Sequence, residues 1–286
     1  MAHVEALSTS KYIIIVVNAF TAFTAIVFNS FTIQAIRKTP SLPKPLKTLL
    51  LSLAVSDVAV GLVAQPFFIV RLKISQETVP KMWLIQNVLA NASFLGIVAL
   101  SLERFLAVHL HLRYQELVTH KRVLGLTISA WVFSALLSFF CLWFDEELKR
   151  AIIIKIIIWS LCFIFITVIS VRLYFTVRHH ADQIQALQVQ QAAQNGDLAN
   201  ALRLRKSAVS TFYVYFAFLA CYLPFYCTLL AKKIFNWPSP TLKVFYKCSS
   251  TLMFINSSLD PVIYCWRMRD IRQSIKDILR NMFRRT

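Results

Sequence analysis

The stretch Met82-Trp83-Leu84-Ile85-Gln86-Asn87-Val88-Leu89-Ala90-Asn91-Ala92-Ser93-Phe94-Leu95-Gly96-Ile97-Val98-Ala99-Leu100-Ser101-Leu102 runs 21 residues without a charge and then meets Glu103-Arg104-Phe105. A hydrocarbon core about 30 Å thick takes roughly 20 mostly apolar residues in a helix. A helix also satisfies its own backbone hydrogen bonds in lipid. A barrel strand would alternate apolar and polar residues over about ten positions, and this stretch does not alternate. It reads as a transmembrane helix whose charged end marks a membrane face.

Six more runs of this kind lie around it, at about 12–36, 48–70, 123–144, 151–171, 207–231 and 244–264. The predicted fold is therefore all-α and membrane-embedded: one seven-transmembrane helix bundle over residues 1–286. Composition agrees, with 57% hydrophobic residues, 15% charged residues and a mean hydropathy of +0.60. Soluble domains carry about 25% charged residues, and disordered chains are poorer still in apolar ones. Only 4 glycines in 286 residues argue against phosphate-cradling loops.

The net charge of +18 would suit nucleic acid in a soluble protein. Here the basic residues sit between apolar runs, so the implied partner is the bilayer and not nucleic acid. Segments 37–47, 104–122, 172–206 and 267–285 hold 20 of the 31 Lys and Arg. Cytoplasmic loops concentrate Lys and Arg, so the expected orientation is N-terminus extracellular and C-terminus cytoplasmic, in the plasma membrane. The short lead before the first run shows no removable signal peptide. The connection at 145–150 is short, and the longer one at 181–202 is expected to extend its flanking helices around a turn at Asn195-Gly196-Asp197. All six cysteines fall in or beside spans, so no disulfide is expected. Beyond the last span, Met268, Ile271, Ile275, Ile278 and Met282 recur at helical spacing, with Arg and Lys on the other faces. This predicts an amphipathic helix over 267–283 on the inner leaflet.

Ionisable groups inside a membrane are costly and mark function by default. The deep acids are Asp57 and Asp260, with Asn29, Ser93, Asn256 and Ser257 at similar depth. Two carboxylates among neutral oxygens suit a hard cation such as sodium; a carboxyl pair sharing a proton is the alternative. Pro224 and Pro261 each remove a backbone donor and loosen a helix. Tyr222 and Phe225 flank the first of these breaks.

Read in order, these residues resemble a rhodopsin-like (class A) G-protein-coupled receptor. Asn29 is similar to that family's span-one Asn, and Leu53-Ala54-Val55-Ser56-Asp57 to its span-two acidic motif. Glu103-Arg104-Phe105 resembles its acidic-Arg-aromatic motif, and Trp131 its span-four Trp. Cys221-Tyr222-Leu223-Pro224 resembles its Cys-Trp-x-Pro motif with Tyr for Trp. Asp260-Pro261-Val262-Ile263-Tyr264 resembles its Asn/Asp-Pro-x-x-Tyr motif. The flavour is closest to the adenosine and melanocortin receptor branch. The resemblance implies a two-state bundle that couples an extracellular small ligand to a heterotrimeric G protein through outward movement of span six. Glu103, Arg104, Phe105, Tyr222, Pro224, Asp260, Pro261 and Tyr264 then form the switch. The implied ion site is Asn29, Asp57, Ser93, Asn256 and Asp260, with no cofactor besides that sodium ion.

The departures bear on ligand and switch. Val79 stands near the family's span-three disulfide Cys, and 145–150 has no Cys partner. The position of the amine-receptor aspartate is Gln86, that of the retinal lysine is Phe254, and that of the adenosine-receptor Asn is Leu229. Monoamines and retinal are thereby disfavoured. The candidate pocket is Gln86, Asn87, Asn91, Phe225, Tyr226, Tyr246 and Ser250, a mixed amide and aromatic lining for a neutral or anionic small ligand. At the foot of span six, Leu204 stands between Arg203 and Arg205 where the family has an acid, which implies raised basal activity. A transporter or channel is the alternative, opposed by the missing internal repeat. An enzyme is not expected, since no metal-spaced cluster or paired nucleophile and base is visible.

Overall fold

A computed structural model describes residues 2–73, 80–110, 113–143, 156–172, 174–176, 215–231 and 240–284. Every long element among them is a helix. Span one is Ala2–Lys38, span two Lys44–Lys73, span three Pro80–His109 and span four His120–Trp143. Span five is described over Ile156–Thr176, span six over Tyr215–Ala231 and span seven over Pro240–Arg267. The helices overrun the apolar runs, because hydropathy marks the lipid-immersed length whereas backbone hydrogen bonding continues past it. Spans one to five are long and apolar enough to cross a membrane, and span six is apolar over its described length. Span seven has more polar positions, and these turn inward: Ser249, Ser250, Thr251, Asn256, Ser257 and Asp260 are all buried. Leu126, Ile128, Val132, Phe133 and Leu136 on span four stay exposed, as a lipid-facing surface requires.

Span one packs on spans two and seven, span two on spans three and four, and span three on span four. Span two is not a plain helix. Pro66 has no N–H to offer Leu62, and the Gln65 N–H reaches back to the Val60 carbonyl, making a π-turn over Val60–Ala64. One extra residue rotates the remainder of the helix by about 100° at 3.6 residues per turn. Gly61 lies where this turn meets span one. A Cβ there would stand 2.9 Å from the Ala22 carbonyl oxygen and 2.9 Å from Ile26 Cγ1, so only glycine fits without a shift.

Span seven stops at Arg267, Met268 is extended, and a second helix runs Arg269–Phe283. It begins two residues later than the sequence pattern suggests, because Met268 redirects the chain. Ile271 and Ile278 are buried against the bundle and Ile275 packs beside them, while Met282 is exposed. Thr39 and Ser274 hydroxyls pair at 2.8 Å, and Ser41 donates to Asp270 at 2.7 Å. These contacts tie the helix to the end of span one and the turn that follows it. The loops at 145–150 and 181–202, Val79, and Arg203, Leu204 and Arg205 lie outside the described residues.

Candidate functional site

The C-terminal end of span three carries a closed polar clamp. Arg104 donates from both Nε and Nη2 to the Glu103 carboxylate, and both side chains are buried. Tyr114, on the short helix Tyr114–Leu117 between spans three and four, donates its hydroxyl to the same carboxylate. A bidentate Arg-carboxylate pair with a third donor is among the stronger arrangements available to a buried ion pair. Burial, with the Glu103 carboxylate next to it, pushes the Tyr114 hydroxyl well above its ordinary value. Phe105 stacks on His109 with centroids 5.0 Å apart. Sequence reading missed Tyr114. The signal was there: an aromatic hydroxyl eleven residues after an acid, in a loop too short to leave the inner mouth.

Deeper in, Asp57 of span two and Asp260 of span seven are fully buried and interact with each other and with Ser257. All four carboxyl oxygens, and both amide atoms of Asn256, lack a hydrogen-bond partner among the described residues. Such orphaned oxygens suit a shared cation or a shared proton. Ser93 does not turn its proton to them; it donates to Ser56 at 3.0 Å. Asn29 has a different task. Pro261 cannot donate to the carbonyl four residues back, at Ser257, and Asn29 supplies the missing donor at 2.7 Å. It also donates to Ala25 at 2.9 Å. The proline break in span seven is thus stitched to span one. Tyr264 is buried with its hydroxyl unpartnered among the described residues.

Between spans three, five and six the filling is aromatic. Phe94 stacks on Trp159 at 4.7 Å with planes 5° apart, and also meets Phe163 and Phe218. Phe218 stacks on Tyr222 at 4.1 Å, just before Pro224. Hydroxyls bracket this cluster. Tyr226 bonds the Ile156 carbonyl at 2.8 Å and the Ser160 hydroxyl, and Tyr215 bonds Thr167 at 2.5 Å. Pro224 itself is exposed on span six.

The candidate pocket residues do not converge on one space. Gln86 donates to the Ala64 carbonyl of span two at 2.9 Å, and Asn91 donates to Ser138 of span four at 3.1 Å. Five residues apart is about 140° around a helix with 3.6 residues per turn, so these two amides face different neighbours. Asn87 is half-buried. Phe225 and Tyr246 do come together, with ring centroids 5.7 Å apart, and Ser250 donates to the Tyr246 carbonyl at 2.7 Å. Tyr226 faces span five. On the other side of the bundle, Asn18 and Gln65 are fully buried between spans one, two and seven. Sequence reading passed over both, although an amide within an apolar run is the same kind of signal that singled out Asn29.

Of the cysteines whose side chains are described, Cys162, Cys221, Cys227, Cys248 and Cys265 are free thiols. No group of three or more His, Cys, Asp and Glu fit to hold a metal occurs among the described residues.

Several known proteins are similar to this chain in sequence. Rat melanocortin receptor 3 is 23% identical over 88% of this chain and 80% of its own length. Chicken adenosine receptor A2b is 32% identical over 45% of this chain and 38% of its own. The Drosophila octopamine receptor beta-1R is 22% identical over 92% of this chain and 61% of its own. Each is a receptor by name, and the three names point to three different ligands, melanocortin, adenosine and octopamine, so the likeness carries the family and not a ligand. The profile of the 7 transmembrane receptor (rhodopsin family) matches residues 28–264, from the residue before Asn29 to Tyr264, taking in the clamp, the acid pair and both proline breaks; the chain belongs to that family.

Proposed function

We propose that this receptor passes an extracellular small-ligand signal to a cytoplasmic heterotrimeric G protein by moving span six outward about Pro224. The observation that carries this reading is the clamp at the inner mouth. Arg104 is buried in Glu103, and Tyr114 closes over the same carboxylate. The arginine is read as a two-state element: it stays with Glu103 or turns to a partner. Ligand acts by favouring the second state, and only through its differential affinity for the two. The aromatic cluster gives span six a surface on which to move, because ring stacking tolerates sliding better than hydrogen bonding does.

The ligand we favour is neutral or anionic. Phe225 and Tyr246 supply an aromatic wall near the outer end, and Lys247 follows Tyr246 in sequence. No carboxylate stands at Gln86 to meet a cationic amine. The acid pair is the proposed sodium site, with Asp57 and Asp260 as the charged ligands and Asn256 and Ser93 beside them. Asn29 serves there as a brace for the Ser257 carbonyl. The orientation we propose puts the clamp and the amphipathic helix in the cytoplasm, on the side rich in Lys and Arg.

The test is a second-messenger screen in cells expressing the receptor, run beside Arg104→Ala at matched surface expression. A ligand-dependent or ligand-free response that vanishes in the variant supports the reading. An unchanged response from a well-expressed variant overturns it. For the ion site, the comparison is a sodium titration of basal signalling in wild type and Asp57→Asn, with choline as control. Superimposable curves would refute it.

A further inference from the structure

The outer half of the bundle holds a second buried polar cluster that the switch does not use. Gln65 lies eight residues outward of Asp57, and Thr251 nine residues outward of Asp260. At 1.5 Å per residue this is about 12–13 Å along the helix axes, so the cluster is separate from the acid pair. Asn18 and Gln65 are fully buried, and Thr21 and Thr251 nearly so.

Donors and acceptors in this cluster do not match in number. Asn18 Nδ2 donates to the Ile14 carbonyl at 2.8 Å and to the Thr251 hydroxyl at 2.9 Å. Gln65 Nε2 donates to the Thr21 hydroxyl at 2.7 Å and lies 3.4 Å from the Asn18 carbonyl. Thr21 gives its one proton to the Val17 carbonyl at 2.8 Å, and Thr251 gives its own to the Lys247 carbonyl at 3.0 Å. Every side-chain donor is engaged. Two acceptors remain without a partner among the described residues, Asn18 Oδ1 and Gln65 Oε1. Turning Asn18 over would set its oxygen 2.8 Å from the Ile14 carbonyl, two acceptors face to face, and turning either amide over would only exchange an unmet oxygen for an unmet amide nitrogen. Buried acceptors of this kind are costly unless met, and buried water commonly meets them.

We propose that Asn18, Thr21, Gln65 and Thr251 form a second buried binding site that takes a neutral hydrogen-bond donor on Asn18 Oδ1 and Gln65 Oε1. The donor is neutral because the four side chains carry no charge, and an uncompensated cation between helices in a membrane is expensive. The π-turn makes the site. Without the rotation at Val60–Ala64, Gln65 would not reach span one. The guest is a confined water molecule or the hydroxyl of a small molecule; both offer the same O–H.

The two sources are separable with full-length receptor in lipid nanodiscs. Infrared spectra are recorded in ordinary and heavy-oxygen water for wild type, for Asn18→Leu/Gln65→Met, and for Gln65→Met alone. The single variant keeps the Asn18–Thr251 bond and guards against a misfolded double variant. Confined water predicts an isotope-shifted O–H band in wild type that is lost in both variants. A hydroxylated guest predicts no such band, but a glycerol-dependent rise in Tm in wild type that is absent in Gln65→Met. Identical infrared spectra together with identical glycerol responses in all three proteins overturn the proposal.

Discussion

The two sides of this bundle are held together by different physics. Spans one, two and seven are joined by directional bonds: Asn18 to Thr251, Asn29 to the Ser257 carbonyl, Thr24 to Ser258, Ser258 to the Thr21 carbonyl, and Gln65 of span two to Thr21. Spans three, five and six meet through rings, with Phe94, Trp159, Phe163, Phe218 and Tyr222 in one cluster. Hydrogen bonds fail when their partners slide by about 1 Å, since useful geometry is confined to a narrow range of distance and angle. Stacked rings hold over centroid separations of about 4.5–7 Å. The polar side is thus fixed in register, whereas on the aromatic side the rings can slide, and the Tyr226 bonds to Ile156 and Ser160 and the Tyr215 bond to Thr167 are what a movement of span six against span five must break. The proposed movement of span six belongs on the side where the structure can accommodate it.

The sharpest way to break this contrast is at the clamp. Arg104→Ala is expected to abolish second-messenger output while leaving surface expression near normal; retained output would detach the switch from span three. Next come two stability measurements, one on each side. Trp159→Ala removes the ring stacked on Phe94, and losing a buried aromatic costs about 3–5 kcal/mol. Asn29→Ala strands the Ser257 carbonyl, at about 1–3 kcal/mol. Both should lower Tm in detergent, Trp159→Ala by more, and Trp159→Phe should recover most of the loss. A larger fall for Asn29→Ala would reverse the assignment of where the packing energy lies.

Smaller effects concern the resting balance. Tyr114→Phe removes one bond to the Glu103 carboxylate. Hydrogen bonds to charged groups contribute roughly 1.5–3 kcal/mol, and about 1.4 kcal/mol is a tenfold change. Ligand-free signalling should therefore rise several-fold or more, read at matched expression. The same hydroxyl gives a pH signature. Its folded value is raised above the ordinary one of about 10, so its contribution to stability is complete below about pH 10 and falls as pH rises beyond it. Tyr114→Phe should flatten that alkaline decline in Tm. The smallest expected change is at Leu204. Leu204→Glu adds an acid; ion pairs in contact with water are worth roughly 0–1 kcal/mol, so it should lower basal signalling slightly, while Glu103→Gln should raise it. If neither moves, the resting state is held away from the inner mouth, at Asp57 and Asp260.

How far each feature could be read depends on its range along the chain. Asp57, Asp260, Glu103 and Arg104 declared themselves because a charge inside or at the end of an apolar run is locally anomalous. Gln86 and Asn91 declared their polarity equally well, but not their direction, since facing span two or span four depends on how span three is rotated. Tyr114 and Trp159 were not singled out: a tyrosine in a polar loop and a tryptophan in an apolar helix are ordinary until a neighbour from another element arrives.

By itself the sequence determined the helical membrane architecture, the charge bias of the loops, the two proline breaks and the ionisable residues in and at the ends of the apolar runs. Each of these is a property of a segment, set by hydropathy, by charge or by a missing backbone donor. Only the tertiary structure decided that Asn29 mends the break at Pro261, that Tyr114 closes on Glu103, that Gln65 turns to span one, and that one side of the bundle is bonded while the other is stacked. Those outcomes rest on the rotation of each helix about its own axis. That rotation is fixed by contacts between residues as distant in the chain as Asn29 and Ser257, and by a π-turn whose single extra residue redirects everything beyond it.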